Sequence, residues 1–276
     1  MRKEETMKNS KDLPNTKEIS DVKKRRKKKK VWWKTTLYIL SMTVLTIVSL
    51  LLIFNKQVGY QITDYTVRHT SKIKGEKLEP TYDMSQVKPY SAEAAVQAAT
   101  EAQTTGVRAA GQVSIPSVGI NLPVYEGVNN VHLYLGAAET RPRSEIQPGQ
   151  EGNYTIASHY IDNRGSLFEP LPRTKVGDKV YMAFNDKVYE YTVEHVERIT
   201  TDDETWLEDK PGEKLMTLYS CVSIYLPDER WVVQGSLTNE YDLRKESDAH
   251  ILSVFQSHEN TLKGTYLESY EYLRPQ

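Results

Sequence analysis

Two hydrophobic patterns divide the chain. Residues 35–54, TTLYILSMTVLTIVSLLLIF, form a run without a charged side chain. At about 1.5 Å of rise per residue, a helix of this length crosses a hydrocarbon layer about 30 Å thick. From Gly111 onward the apolar residues recur in short β-branched and aromatic runs bounded by Gly, Pro, Asn or Asp, which is typical of strands. The pattern therefore predicts one membrane anchor and one mainly β domain.

The β pattern predicts roughly eight strands over residues 111–237, with almost no helical periodicity. Two short strands flank Ser117, Val118 and Gly119, and the later runs are NYTIASH, KVYMAF, KVYEYTVEHVERI, KLMTLYSC and RWVVQGSL. Residues 184–187, FNDK, have the composition of a hairpin turn. We therefore expect a closed antiparallel barrel or a sandwich.

The segments around these two parts carry weaker patterns. Residues 55–80 are polar without a clear period and predict a stalk. Residues 81–110 predict a short helix and a linker, because SAEAAVQAATEAQ is rich in helix formers, with Ser91 as N-cap and Glu93 in the first turn. An alanine-rich linker is the alternative. Residues 238–276 predict a charged tail with a surface helix near residues 249–255 and a flexible end.

Charge is distributed unevenly along the chain. Residues 1–34 carry 14 Lys/Arg against 5 Asp/Glu, a net charge of +9, although the whole chain has a net charge of −1. Because this basic segment and Trp32 and Trp33 directly precede the apolar run, the positive-inside rule places residues 1–34 in the cytoplasm and the β domain outside the cell membrane. A cleaved signal peptide is disfavoured because no pair of small residues follows the run. Anionic lipid explains the basic residues better than nucleic acid does.

Cys221 is the only cysteine, so an internal disulfide is excluded. The run KLMTLYSC predicts a strand over residues 214–220 that ends at Cys221. A cysteine within a strand is usually a small apolar residue, but one at a strand end can be exposed to a cleft. The thiol is therefore either inert packing or a nucleophile.

A nucleophilic thiol needs a partner that favours the thiolate. His159 is the best candidate because NYTIASH is also a strand that runs into a loop. Arg230 opens the strand RWVVQGSL and could donate to a developing oxyanion. Each residue alone is more simply structural or solvated. The other histidines read as solvated or structural, namely His69, His132, His195, His250 and His258.

Taken together, these motifs resemble the sortase family, the cell-wall transpeptidases of Gram-positive bacteria. The resemblance runs from about Tyr82 (YDMSQVKPYS) through VSIPSVGINLPVYEG, ASH, LFEPL and TLYSC to Leu237. It implies a mainly β, eight-stranded sortase-type β-barrel with short helices. It also implies that Cys221 attacks the Thr-Gly carbonyl of an LPxTG-type sorting signal, that His159 protonates the leaving amine, and that Arg230 holds the oxyanion or the substrate backbone.

Several positions bear on substrate binding under this resemblance. Ser220 stands where most members have Thr, and Tyr219 is bulkier than the usual aliphatic residue, which could alter the grip on the Leu-Pro end. Ala157 matches a small pocket residue, and Ser158 adjoins His159. Some class A enzymes bind calcium through carboxylates after PVYEG. Residues 128–136 contain none, so we expect no metal, no calcium requirement and no other cofactor.

The resemblance favours class A because the chain lacks the Asp-Pro-aromatic lid and the second span usual in pilus-polymerising members. The implied partners are LPxTG-type surface protein precursors, the lipid II or peptidoglycan cross-bridge amine and the membrane, with no nucleic acid. The alternatives are a pilin-type or specialised sortase, an anchored binding module whose cysteine is structural, and a wall hydrolase in which water resolves the thioester.

Overall fold

The computed structural model divides the chain into two units, Met1–Asn55 and Lys56–Gln276. It describes residues 32–50, 61, 65, 79–105, 107–161, 165–223, 226–256, 262 and 265–273. In the first unit, helix α1 (Trp32–Leu50) is long and apolar enough to cross a membrane. The predicted anchor over residues 35–54 overlaps this helix, and its last four positions lie outside the described residues. So do most of the basic segment and of the stalk.

The predicted helix before the β domain is confirmed as α2 (Ala92–Thr105). Ser91 caps it, since the Ser91 Oγ accepts a hydrogen bond from the amide of Ala94 at 3.1 Å. Buried alanines at positions 95, 98 and 102 form one face of α2, and this face packs against a second short helix, α3 (Asn130–Leu135). The two helices lie together on the outside of the β domain, where α3 faces both α2 and the strands.

Eight strands close into a barrel, which confirms the predicted fold class. In space their order is β1, β2, β3, β4, β7, β8, β6, β5, and β5 pairs with β1 to close the barrel. Most neighbours are antiparallel, but β2/β3 and β4/β7 are parallel pairs. The strands are β1 (Gly111–Ile115), β2 (Ile120–Glu126), β3 (Ala137–Glu139), β4 (Gly152–Ala157), β5 (Lys179–Phe184), β6 (Lys187–Thr200), β7 (Lys214–Ser223) and β8 (Leu226–Asp242).

Alternating side chains of these strands fill the barrel with one apolar core. Its fully buried members include Ile115, Ile156, Met182 and Leu218 from different strands, with Phe168 from a loop. Burying a side chain of this size contributes about 1.5–3 kcal/mol each, so the interior is the main stabilising element of the unit. The predicted hairpin between β5 and β6 is confirmed by the pairing of Phe184 with Lys187.

The C-terminal segment packs against the barrel. A helix covers the predicted positions 249–255, but its side chains are partly buried, so its predicted surface location is wrong. The predicted flexible end is wrong for its described part, which includes buried Leu262 and Leu267. Strand β8 continues to Asp242, five residues beyond the expected end of the β domain. A 3-10 helix, Glu246–Phe255, follows and buries Leu252 and Phe255 against β5 and β6. Buried Ser114 of β1 donates a hydrogen bond to the carbonyl of Val254 at 2.6 Å. The sequence did not predict this packing because apolar residues are sparse in the charged segment.

Candidate active site

The cysteine lies on β7 directly opposite the arginine on β8. The two strands are antiparallel, and Cys221 pairs with Arg230 in their register. Two sequence predictions are corrected here: β7 continues past Cys221 to Ser223, and β8 begins at Leu226, so Arg230 is its fifth residue. Hydrogen bonding between the two strands makes both of them longer than their local sequence patterns predicted. Both side chains lie near the same end of the barrel.

Parallel pairing brings the histidine to the same level as the cysteine. Ala157, the last residue of β4, pairs with Tyr219 of β7. One step further, the amide of Ser158 donates to the carbonyl of Tyr219 at 3.3 Å. Because parallel chains advance in the same direction, another step sets His159 level with Cys221. The predicted position of His159, in the loop after its strand, is confirmed.

All seven site residues predicted from the sequence line one cavity of about 220 Å³. These residues are Ala157, Ser158, His159, Tyr219, Ser220, Cys221 and Arg230. A cavity of this size lined by a thiol, an imidazole and a guanidinium can hold the reacting part of a peptide. It also supplies a nucleophile, a proton carrier and an anion-binding group.

The imidazole of His159 is buried and forms no ion pair with a described residue. Only 6% of the residue is exposed, and its Nε2 has no hydrogen-bond partner among the described residues. Burial disfavours the charged ring and lowers the pKa of His159 to about 4. The ring is therefore neutral at neutral pH, and no described residue forms a hydrogen bond with its Nε2.

The thiol has a different environment because Cys221 is partly exposed to the cavity. The adjacent guanidinium of Arg230 is half-buried, and its Nη1 donates to the carbonyl of Glu229 at 3.0 Å. Glu229 in turn forms an ion pair with Arg198. These contacts hold Arg230 in the cavity wall, on the strand that neighbours Cys221.

The two serines in the cavity wall bind backbone carbonyls. Ser158 is buried and its Oγ donates to Gly136 at 2.6 Å, which ties the end of β4 to the β3 side. Ser220 is also buried, and its Oγ donates to the carbonyl of Cys221 at 3.3 Å. Tyr219 packs with Ala157 in an apolar cluster. These four residues therefore shape the wall on both sides of the thiol and the imidazole.

Sequence reasoning missed one wall of the cavity, which is formed by the chain before α2. Its members are Met84, Val87, Lys88, Pro89 and Tyr90. Thr81 accepts a hydrogen bond from the amide of Val128 at 2.7 Å. Gly127 (φ +83°) allows this close approach, since a Cβ there would meet the Thr81 carbonyl oxygen at 2.7 Å. The resemblance likened residues 82–91 to an entry helix but did not indicate where this segment packs.

Residues 128–136, which the sequence identified as free of carboxylates, contribute α3 to the site. Leu133 of this helix lines the cavity. The described part of the chain contains no group of three or more His, Cys, Asp or Glu residues that could hold a metal ion.

Two comparisons with known proteins agree on the family, and a third shows the fold. Residues 113–238 match the model of the sortase domain. Sortase A of Streptococcus agalactiae is 34% identical over 239 residues, which cover 81% of this chain and 93% of the relative. Sortase A of Listeria monocytogenes is 31% identical over 74% of this chain and 92% of the relative. The crystal structure of sortase C-3 from Streptococcus pneumoniae shares the fold, with a TM-score of 0.50 at 21% identity, over 72% of this chain and 91% of that one.

The barrel and the cavity with its single thiol define a class of cysteine-dependent β-barrel enzymes. Within that class, the chain belongs to the sortase family, and its similarity to sortase A places it in class A. It is a cysteine transpeptidase that anchors surface proteins.

Proposed function

We propose that this sortase cleaves an LPxTG-type sorting signal between Thr and Gly, with Cys221 as nucleophile, and transfers the surface protein to the amine of a lipid II cross-bridge. The observation that carries the proposal is the meeting of Cys221, His159 and Arg230 around one cavity. The family assignment supports the reaction type. The motif, the acceptor and the individual residue roles come from the resemblance together with this geometry.

In the first half-reaction, the Sγ of Cys221 attacks the carbonyl carbon of the threonine. The thiol proton passes to the neutral imidazole of His159, whose Nε2 has no other hydrogen-bond partner among the described residues. Collapse of the tetrahedral intermediate breaks the Thr-Gly bond, and the imidazolium returns the proton to the leaving glycine nitrogen. The products are a thioester on Cys221 and a peptide with a free amine.

In the second half-reaction, the acceptor amine attacks the thioester carbonyl. Neutral His159 takes the proton that the amine loses, and the departing Sγ of Cys221 recovers it. One amide bond forms as the thioester breaks, and the enzyme returns to its starting protonation state. Because burial favours neutral His159, the thiolate-imidazolium pair is a minor form at rest.

Arg230 donates to the oxyanion or to the backbone of the sorting signal in this scheme. It lies across the strand pair from Cys221, and a guanidinium remains charged throughout the reaction. Removing one oxyanion donor typically costs about 10²–10³ in kcat. We assign the same magnitude to loss of this guanidinium.

Ala157, Ser158, Tyr219 and Ser220 form the substrate-binding wall in this proposal. Ala157 leaves room beside the imidazole, and the ring of Tyr219 packs next to it, so the two residues offer an apolar surface for the Leu-Pro end. Ser158 and Ser220 position the wall through their hydrogen bonds to carbonyls. Their replacement therefore changes peptide binding more than the chemical step.

The membrane topology belongs to the same proposal. A span over residues 35–54 anchors the protein, residues 1–34 lie in the cytoplasm, and the β-barrel lies outside, where sorting signals and cross-bridges are found. The helix α1 and the basic residues before it support this orientation. Residues 55–80 act as the stalk, 81–110 as the helix and linker, 111–237 as the catalytic domain, and 238–276 as the tail.

The test is incubation of the full chain in detergent with a quenched LPxTG-type peptide, with and without a glycine-based amine. We expect mass spectrometry to find a thioester adduct on Cys221 and a ligated product only when amine is present. Cys221→Ala must lose both, whereas Ser247→Ala, an exposed control remote from the cavity, must retain both. Cleavage at the same rate without amine would indicate a hydrolase, and failure to form any adduct would indicate a binding module.

A further inference from the structure

The imidazole of His159 packs against two tyrosine rings that the reaction scheme does not use. The ring of Tyr134, on α3, meets it edge-on with centroids 4.7 Å apart and planes at 63°. The ring of Tyr90 lies at 6.2 Å and 79°. The two tyrosines also contact each other at 5.2 Å. The three rings therefore form one aromatic cluster at the edge of the cavity.

Tyr134 is the fixed member of this cluster. It is 2% exposed and packs with α2 residues Ala95 and Ala98. Its hydroxyl oxygen accepts a hydrogen bond from the amide of Ser91 at 2.8 Å, and Ser91 caps α2. The ring is thus held at both ends, by packing and by the start of a helix. A ring restrained in this way presents a rigid surface to the imidazole.

None of the described residues that line the cavity is a carboxylate that could orient the imidazole. In a catalytic triad the base is oriented by a third polar group. The titratable groups that line this cavity with His159 in the described structure are Cys221, Arg230, Lys88 and the tyrosines at positions 90, 160 and 219, with no Asp or Glu. The charged side chains in this lining, Lys88 and Arg230, are donors and offer no acceptor to an imidazole N–H. Ring packing is therefore the visible restraint on the imidazole.

We propose that Tyr134 is a positioning residue. Its ring holds the His159 imidazole in place, as an orienting carboxylate does in other nucleophilic enzymes, and it also shields the imidazole from water. The inference rests on the proposed role of His159. Desolvation, which lowers the pKa of His159, is the electrostatic consequence of the same packing. The edge-on contact between rings also favours one orientation of the imidazole.

The test compares Tyr134→Leu with Tyr134→Phe in the full chain, using NMR titration of labelled histidine rings. The His159→Gln variant identifies the signal. The wild-type ring should titrate at about pH 4, and the Phe variant, which keeps the ring, should titrate at about the same pH. The Leu variant should titrate about one pH unit higher or more, with kcat reduced about tenfold and KM little changed.

A second variant keeps the proposal testable if Tyr134→Leu does not fold. Tyr90→Leu removes the more distant, partly exposed ring and should raise the titration of His159 by a smaller amount. An unchanged titration in the folded Tyr134→Leu variant would overturn the proposal, and so would an unchanged kcat. If His159→Gln itself retained full activity, the proposed catalytic role would fail, whatever the titration showed about packing.

Discussion

Two buried histidines, one on α3 and one directly after β4, have different environments. His132 on α3 is 3% exposed, and burial lowers its pKa to about 4, as it does for His159. However, the Nδ1 of His132 lies 2.9 Å from the carbonyl of Gly127, and its ring stacks on Tyr125 with planes at 11°. The Nε2 of His159 has no hydrogen-bond partner in the part of the chain that the structure describes, and the residue lines a cavity. Burial alone therefore does not distinguish the two histidines, whereas the hydrogen bonding of the ring and its place in the cavity wall do.

The short helix α3 supports both histidines from neighbouring positions. His132 contacts Tyr125, and Tyr134, two residues later, contacts the ring of His159. Asn129 caps the helix, because its Oδ1 accepts from the amide of His132 at 2.9 Å. One short helix and its cap thus contact both a structural histidine and a candidate catalytic one.

The largest expected difference between the two histidines is in activity. We expect His159→Gln to reduce kcat/KM about 10³-fold, because it removes the proposed acid and base while keeping a polar side chain. His132→Gln should change kcat/KM by no more than about threefold in folded protein, since the proposed chemistry does not use it. The measurement is steady-state ligation of an LPxTG-type peptide to a glycine-based amine.

Circular dichroism controls for folding in both variants, and Phe255→Leu is a matched control that perturbs buried packing away from the cavity. A comparable loss of kcat/KM in both histidine variants, with native spectra, would contradict the distinction.

The next effect is on stability at low pH, where the two histidines should act alike. Their pKa values are about 4 in the folded protein, below the ordinary value of 6.5, so the unfolded chain binds more protons as the pH falls from about 6.5 to 4. The stability that each neutral, buried ring contributes is complete above about pH 6.5 and is lost as the pH falls toward 4. The loss is on the order of 2–3 kcal/mol for each histidine.

Urea denaturation over this pH range measures the effect. Each His→Gln variant should show a shallower pH dependence than the wild type, and the double variant should show the shallowest. A double variant with the wild-type slope would mean that carboxylates with a lowered pKa, such as Glu190, control the acid sensitivity.

The smallest effect concerns the helix that the two histidines share. Asn129→Ala removes the cap of α3 and should lower the free energy of unfolding by about 1 kcal/mol. The cap contacts His132, whereas Tyr134 lies further along the helix. The ring of Tyr134 should therefore move little, and kcat should fall by less than about threefold. Urea denaturation and peptide ligation measure the two quantities. The shared role of α3 would be disproved if Asn129→Ala left both of them unchanged, and Asn129→Ser, which can still cap, should behave like the wild type.

Much of the fold and of the candidate site was predictable from local pattern. Strand periodicity with Gly, Pro and Asn boundaries predicted the β domain and the hairpin at residues 184–187, and Ser91 marked the start of α2. The single cysteine and a histidine just after a strand were visible as candidates because residue type and strand end are local properties. The seven predicted site residues all reach one cavity.

The sequence alone determined which residues could form strands, which helix could span a membrane, and which side chains could carry acyl transfer. Only the tertiary structure decided that the chain at positions 84–90 walls the cavity, that Tyr134 packs on His159, and that Phe255 is buried. The reason is physical: periodicity reports the neighbours of a residue along its own element. Contacts across the closed barrel depend on strand order and register, which no local pattern encodes.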